Sequence, residues 1–168
     1  VLQQAAERCS TELGKRALID LRPYTSLSRV QIEIERVNEY NSSFGSEHNI
    51  PNHGFESIDK ALGLLAIENS KIEIDLFQHI AHLAKTAQTL VRFFKKTKLF
   101  FPNLYKFGED IPIEKSIPSE VDRVIDRFGE IRNQASDSLA VIRKQMDQVR
   151  GKISQSFGSA MSLSLIHI

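Results

Sequence analysis

"IDLFQHIAHLAKTAQTLVRFFKKTK", residues 74–98, is the stretch on which the fold turns. Phe77, Ile80, Ala81, Ala84, Ala87, Val91 and Phe94 recur at steps of mostly three or four. At about 100° per residue they form one broad apolar face, so the stretch reads as a long amphipathic helix.

The same rhythm recurs on both sides. Leu2, Ala5 and Ala6 fall on one side of a helix already running at Val1, opposite Gln3, Glu7 and Arg8. Ser10 or Thr11 caps a helix to about Leu21, which Arg22-Pro23 stops. Ser26 or Ser28 opens another, with Val30, Ile34, Val37 and Tyr40 at helical spacing. Residues Asn41–Phe55, rich in Asn, Ser, Gly and His, read as a loop, and a short helix follows over about Ser57–Ala66. Leu99–Pro118 carries three prolines and reads as an irregular connection. A helix then takes in Val121, Val124, Ile125 and Phe128, with Gly129 placed to end it. Ser136 caps a last helix whose apolar positions are Leu139, Ile142, Met146, Val149, Ile153 and Phe157, spaced like a coiled-coil seam. No run is bounded by hairpin turn chemistry, so the fold class expected is all-α: a helical core domain leading into a long lever-like helix, truncated at both ends.

Composition narrows the function. Twenty-two basic and 21 acidic side chains leave a formal charge of +1, so any contact with nucleic acid or anionic lipid has to be local. One cysteine, Cys9, rules out an internal disulfide and suits a reducing, cytoplasmic setting. No apolar run approaches the roughly 18 residues of a membrane span, and no signal sequence opens the chain, so no membrane partner is expected. The terminal "LSLIHI", residues 163–168, is what a common sequencing-adapter end encodes in frame, and it is set aside as read-through.

Gly14-Lys15 invites comparison with a phosphate-binding loop, which needs G-x-x-x-x-G-K-[ST]. Cys9 stands where the first glycine belongs and Arg16 where the hydroxyl belongs, and the pair sits inside an amphipathic pattern. A glycine there costs about 1 kcal/mol relative to alanine, and close approach of another helix is the expected reason for it. Asp75, His79 and His82 share a helical stripe at metal-ligand spacing, but on the wet side with Gln78, Thr86 and Thr89, where no outer shell would orient them. "RFFKKTK" interleaves cations with aromatics, a pattern that suits a phosphate backbone, so Arg92, Lys95, Lys96 and Lys98 are the candidate nucleic-acid contacts. Cys9 has no nucleophile machinery around it in sequence. No residue reads as catalytic, cofactor-binding or metal-ligating.

Three stretches carry a resemblance: "VLQQAAERCSTELGKRALIDLRPYTSL", "RFFKKTKLFFPNL" and "VIDRFGEIRNQASDSLAVIRKQM". Thr11–Lys15, the Leu21–Pro23 stop and above all Gly129–Arg143, with its G-E-I-R-x-x-A-S core, resemble the N-terminal region of the Smr-bearing second branch of the bacterial MutS family, MutS-two. The resemblance runs to about Ser159. Asn52-His53-Gly54 replaces the paired glycines usual before the short helix, and Asn133-Gln134 replaces the usual Asp-Ser.

The resemblance implies a core segment over residues 1–135 and the start of a lever helix over 136–162, within a homodimeric ATPase. ATP and Mg would bind far downstream, and most members add a C-terminal Smr nuclease domain. It further implies partners in DNA and in the ribosome with its rRNA, through suppression of homologous recombination and the splitting of collided ribosomes. Enzymatic activity would belong to the parent protein and not to these residues. In that setting the Gly-Lys pair belongs to a structural helix, and Val149, Ile153 and Phe157 are expected to be partly exposed, their partner helix lying beyond this chain. The other reading from the residues is a free-standing helical interaction module without enzymatic activity.

Overall fold

The computed structural model describes residues 1–165 and is all-α, with eight helices and no strand among the described residues. The helices are α1 (Leu2–Ala6), α2 (Glu12–Ile19), α3 (Leu27–Ser43), α4 (Asp59–Leu65), α5 (Ile74–Lys96), α6 (Pro102–Gly108), α7 (Ser116–Val124) and α8 (Asp137–Leu165). Of the tail read as adapter sequence, 166–168 lie outside the described residues. The chain divides into two compact units, the first Val1–Val121 and the second beginning at Asp122.

In the first unit α5 is central, with α4 and α6 packed on it, while α3 packs on α6 and α1 on α2. Leu76, Ala81 and Thr86 are its buried residues, and they point to different sides of the helix. The expected wet side therefore needs correcting: Thr86 lies inside, while Phe77 is 36% exposed. A helix flanked on more than one side has no single wet face. The rest of the unit's core is small, made of Ala6, Ala61 and Phe101.

Thr11 caps α2, its hydroxyl accepting from the Gly14 N–H at 3.1 Å. A Cβ at Gly14 would stand 3.0 Å from that hydroxyl and 3.9 Å from Cys9 Cβ, with no other heavy atom within 4 Å outside the helix's own backbone. The expected close helix approach is thus corrected: the glycine makes room for the cap. Lys15 pairs with Glu12 at 3.6 Å, and Arg16 reaches Asp59 at the start of α4.

The connection Leu99–Pro118 also departs from expectation, because it contains α6 and the start of α7. Pro102 sits in the first turn of α6, where its missing N–H costs nothing. The N-cap is Phe101, which has no side-chain acceptor, so the cap comes from α3. Glu39 accepts from Asn103 N–H at 2.9 Å with one carboxylate oxygen and from Leu104 N–H at 2.8 Å with the other. Asn103 Nδ2 donates to Glu39 at 2.8 Å and to Glu35 at 3.1 Å. Arg36 lays its guanidinium over the Phe107 ring, 4.6 Å from its centre. The face α3 turns to α6 is therefore largely polar, and Ile34 and Val37 of its apolar stripe remain exposed at 54% and 57%.

In the second unit α7 ends at Val124, so the helix expected through Phe128 is corrected. Asp126 stops it. Its Oδ1 accepts from the N–H groups of Phe128 at 2.8 Å and Glu130 at 2.9 Å, which turns the chain back. Gly129 holds φ at 85°, and an antiparallel bridge pairs Ile125 with Ile131. Ile125 is the buried apolar residue here. Ser136 then caps α8, accepting from Leu139 N–H at 3.2 Å. With 29 residues, α8 is about 43 Å long.

Candidate nucleic-acid interface

Arg92, Lys95 and Lys96 occupy the last two turns of α5, and Lys98 follows its C-cap, Thr97. All four are exposed, and none forms an ion pair among the described residues. Arg92, Lys95 and Lys96 stand at i, i+3 and i+4, one side of the helix, so three cations can address one run of phosphates. The carbonyl end of the helix favours their charge.

The interleaved aromatics do something else. Phe93 and Phe94 are half-buried, and their rings meet Phe101 at 6.0 and 6.3 Å between centres. They anchor α6 to α5 and offer no platform on which bases could stack. The more exposed ring is Phe100, which lies 4.1 Å from the His48 ring. The candidate patch as folded presents exposed cations, while Phe94 packs inward as its place on the apolar face implied.

Beside Lys95 a cavity of about 450 Å³ opens between α5 and α6, lined chiefly by Leu90, Val91, Phe94, Leu104, Phe107 and Ile111. Tyr40 and His53 also line it, 3.3 Å apart from Oη to Nε2. His53 Nδ1 stands 3.0 Å from Pro51 C=O, so the tautomer protonated at Nδ1 leaves Nε2 free to accept from Tyr40. Tyr105 donates its hydroxyl to Glu109 at 3.2 Å, and that hydrogen bond together with the carboxylate's charge raises the phenol above its usual range. Most of its wall comes from residues 87–113, and it opens because α6, which the sequence did not predict, folds back on α5, with Tyr40, Ile50 and His53 added from the segment before.

The Gly129–Arg143 block works as a joint between α7 and α8. Arg132 Nε donates to Asp122 C=O at 2.8 Å and to Ile125 C=O at 3.3 Å, satisfying carbonyls at the end of α7. Arg123 donates to Ala135 C=O at 3.2 Å. Arg143 donates to Ile131 C=O at 2.9 Å and also to Asn133 Oδ1, so it ties the first turns of α8 back to the bridge. Backbone hydrogen bonds from Glu130 and then Phe128 lower the Asp126 carboxyl below the usual aspartate range. Gly129, Ile131, Arg132, Ser136 and Arg143 of the motif thus each hold part of the joint.

Among the described residues no three His, Cys, Asp or Glu side chains converge as metal donors, and no helix is long and apolar enough to cross a membrane. Asp75 and His82 are exposed and His79 half-buried. The half-buried Cys9 donates its Sγ–H to Ala5 C=O at 3.8 Å.

The geometry defines a class first: a helical segment built of ties between helices, with a cationic helix end and one long helix. Comparison with known proteins then gives a narrower likeness. No family model matches the chain. Over most of its length it is similar to bacterial proteins named endonuclease MutS2. It is 24% identical over 155 residues to that of Symbiobacterium thermophilum, covering 92% of this chain and 19% of the relative. It is 22% identical over 166 residues to that of Bacillus velezensis, covering 98% and 21%. With that of Halothermothrix orenii it shares 24% over 172 residues, covering 96% and 21%. The chain spans about one fifth of the length of the curated relatives it matches, as a segment of a MutS2-like protein would.

Proposed function

We propose that this chain is the helical core and initial lever of a MutS2-like ATPase and endonuclease, and that it relays nucleotide state to nucleic-acid binding. The core would run over residues 1–135 and the lever would begin at 136–162. The observation that carries the reading is the coverage: nearly all of this chain aligns with one fifth of proteins named endonuclease MutS2. The architecture supports it, because the contacts that define the fold tie helices to one another.

ATP with Mg would bind in the parent protein, downstream of these residues, and the parent would act as a homodimer in the cytoplasm. Its substrates would be DNA, in suppressing recombination, and ribosomes with their rRNA, in splitting collided particles. Arg92, Lys95, Lys96 and Lys98 would supply phosphate contacts from this segment, each neutralising charge without reading sequence.

Reading the coding sequence beyond this segment tests the proposal. A G-x-x-x-x-G-K-[ST] loop in the same frame is the expected result, and a frame that closes without one would leave a helical interaction module instead. Where the loop is found, binding of the whole protein to branched DNA and to collided ribosomes, measured side by side, separates the two substrates.

A further inference from the structure

The cavity between α5 and α6 carries a charge at one end of an apolar stripe. Ala87, Leu90, Val91, Phe94 and Lys95 line it from α5. They stand at i, i+3, i+4, i+7 and i+8, so they form one row about 12 Å long that ends on an ammonium. A smaller gap of about 90 Å³ under Ile111, Pro112 and Ile113 shares Ala87 and Val91 with the cavity but not Phe94 or Lys95. Those isoleucines therefore close the end away from the charge. Gln88 holds their segment down, its Nε2 donating to Glu114 C=O at 2.6 Å. Phe107 and Ile111 line the cavity yet are 67% and 48% exposed, so the space opens to solvent beside them.

Of the polar groups around the cavity, Tyr40 and His53 meet each other, and the Glu109 carboxylate accepts from Tyr105. Lys95 enters no ion pair among the described residues, while Arg92, Lys96 and Lys98 stand outside the lining. An apolar space of this size leaves its walls without contacts on one side, and proteins leave few such spaces unfilled. An occupant that restores those contacts and offers an anion to Lys95 answers both features. We propose that the cavity binds an amphiphilic carboxylate, its acyl chain along Leu90, Val91 and Phe94 and its headgroup at the Lys95 ammonium. A chain that matches the α5 row is about 12 Å long. A sugar or nucleotide would bring more polar groups than these walls can answer. The proposal uses the first unit alone and stands apart from the lever reading.

Decanoate, decan-1-ol and decylammonium, equal in chain length, serve as probes. Each is titrated into the 168-residue chain carrying labelled Ile, Leu and Val methyls, which are followed by nuclear magnetic resonance. Decanoate below its micelle concentration is expected to shift Leu90, Val91 and Ile111 saturably and to leave Val149 and Ile153 of the exposed α8 seam unmoved. Lys95→Met, at an exposed position, should weaken decanoate about fivefold, the scale of one exposed charge pair, and leave decan-1-ol within about twofold. Lys106→Met removes an exposed charge of α6 outside the lining and should leave decanoate within about twofold. No saturable shift, equal shifts at Val149 and Ile153, decylammonium binding as tightly as decanoate, or an equal loss in Lys106→Met would each overturn the proposal. So would shifts of the same methyls with chain concentration and no probe, which would mean that a second copy fills the cavity.

Discussion

Replacing Glu39 by alanine should destabilise the first unit by about 2 kcal/mol, through the N-terminus of α6. The carboxylate takes the Asn103 and Leu104 N–H groups at 2.9 and 2.8 Å, because Phe101 cannot cap and Pro102 has no N–H. Losing a helix cap costs about 1 kcal/mol, and removing a second charge-assisted bond in a half-buried place adds about as much. Glu39→Gln keeps one acceptor but turns an amide donor toward an N–H, so it should cost roughly half as much. Glu35→Ala is the control. Glu35 accepts from Asn103 Nδ2 at 3.1 Å in an exposed position, and its loss should cost less than about 0.5 kcal/mol. Urea unfolding followed by far-ultraviolet circular dichroism gives the three differences. Glu39→Ala unfolding at the parent midpoint, or Glu35→Ala matching it, would show that α6 does not depend on this cap.

Two further perturbations follow from local geometry. Thr11→Ala should cost about 1 kcal/mol through the lost cap. Gly14→Ala should nearly balance, gaining about 1 kcal/mol of helix propensity while crowding the cap hydroxyl. The double variant should then exceed Thr11→Ala in stability by about 1 kcal/mol, and simple additivity in a thermal-melt cycle would refute the coupling. The second concerns pH. Asp126 is held below its unfolded value, so its contribution is fully present above the ordinary aspartate pKa of about 3.9 and fades as pH falls through the lower folded value. Nuclear magnetic resonance titration of the Phe128 and Glu130 amides should therefore show the turn intact at pH 5 and loosened in strong acid. Asp126→Asn should remove that acid step, and an unchanged titration in the variant would contradict the assignment.

Local signals carried α2, α5 and α8 from sequence to structure. Thr11 and Ser136 cap where their neighbours' patterns begin, and an unbroken apolar rhythm runs through α5. What stayed hidden depends on distant partners. Three prolines made Leu99–Pro118 look irregular, yet α6 forms because a glutamate 64 positions earlier in the chain caps it. Ile125 and Phe128 kept helical spacing, while the Asp126 side chain diverted the backbone into a turn. The site was legible in the same uneven way. The cations Arg92, Lys95, Lys96 and Lys98 were visible as charges and Phe94 as part of the apolar face, but the inward direction of Phe93 depends on where Phe101 lies. The walls of the cavity beside Lys95 lie mostly within 87–113, but the cavity exists only because α6 folds back on α5, which the three prolines concealed.

The relay itself is tested most directly by Val149→Asp in the whole parent protein. Val149 is 55% exposed at the middle of the α8 seam, so a carboxylate there leaves the fold of this segment in place while opposing any apolar partner. ATP hydrolysis is measured with and without branched DNA or ribosomes. Basal turnover retained with its stimulation by nucleic acid lost is the predicted result, whereas stimulation equal to that of the parent would show that α8 is not the relay.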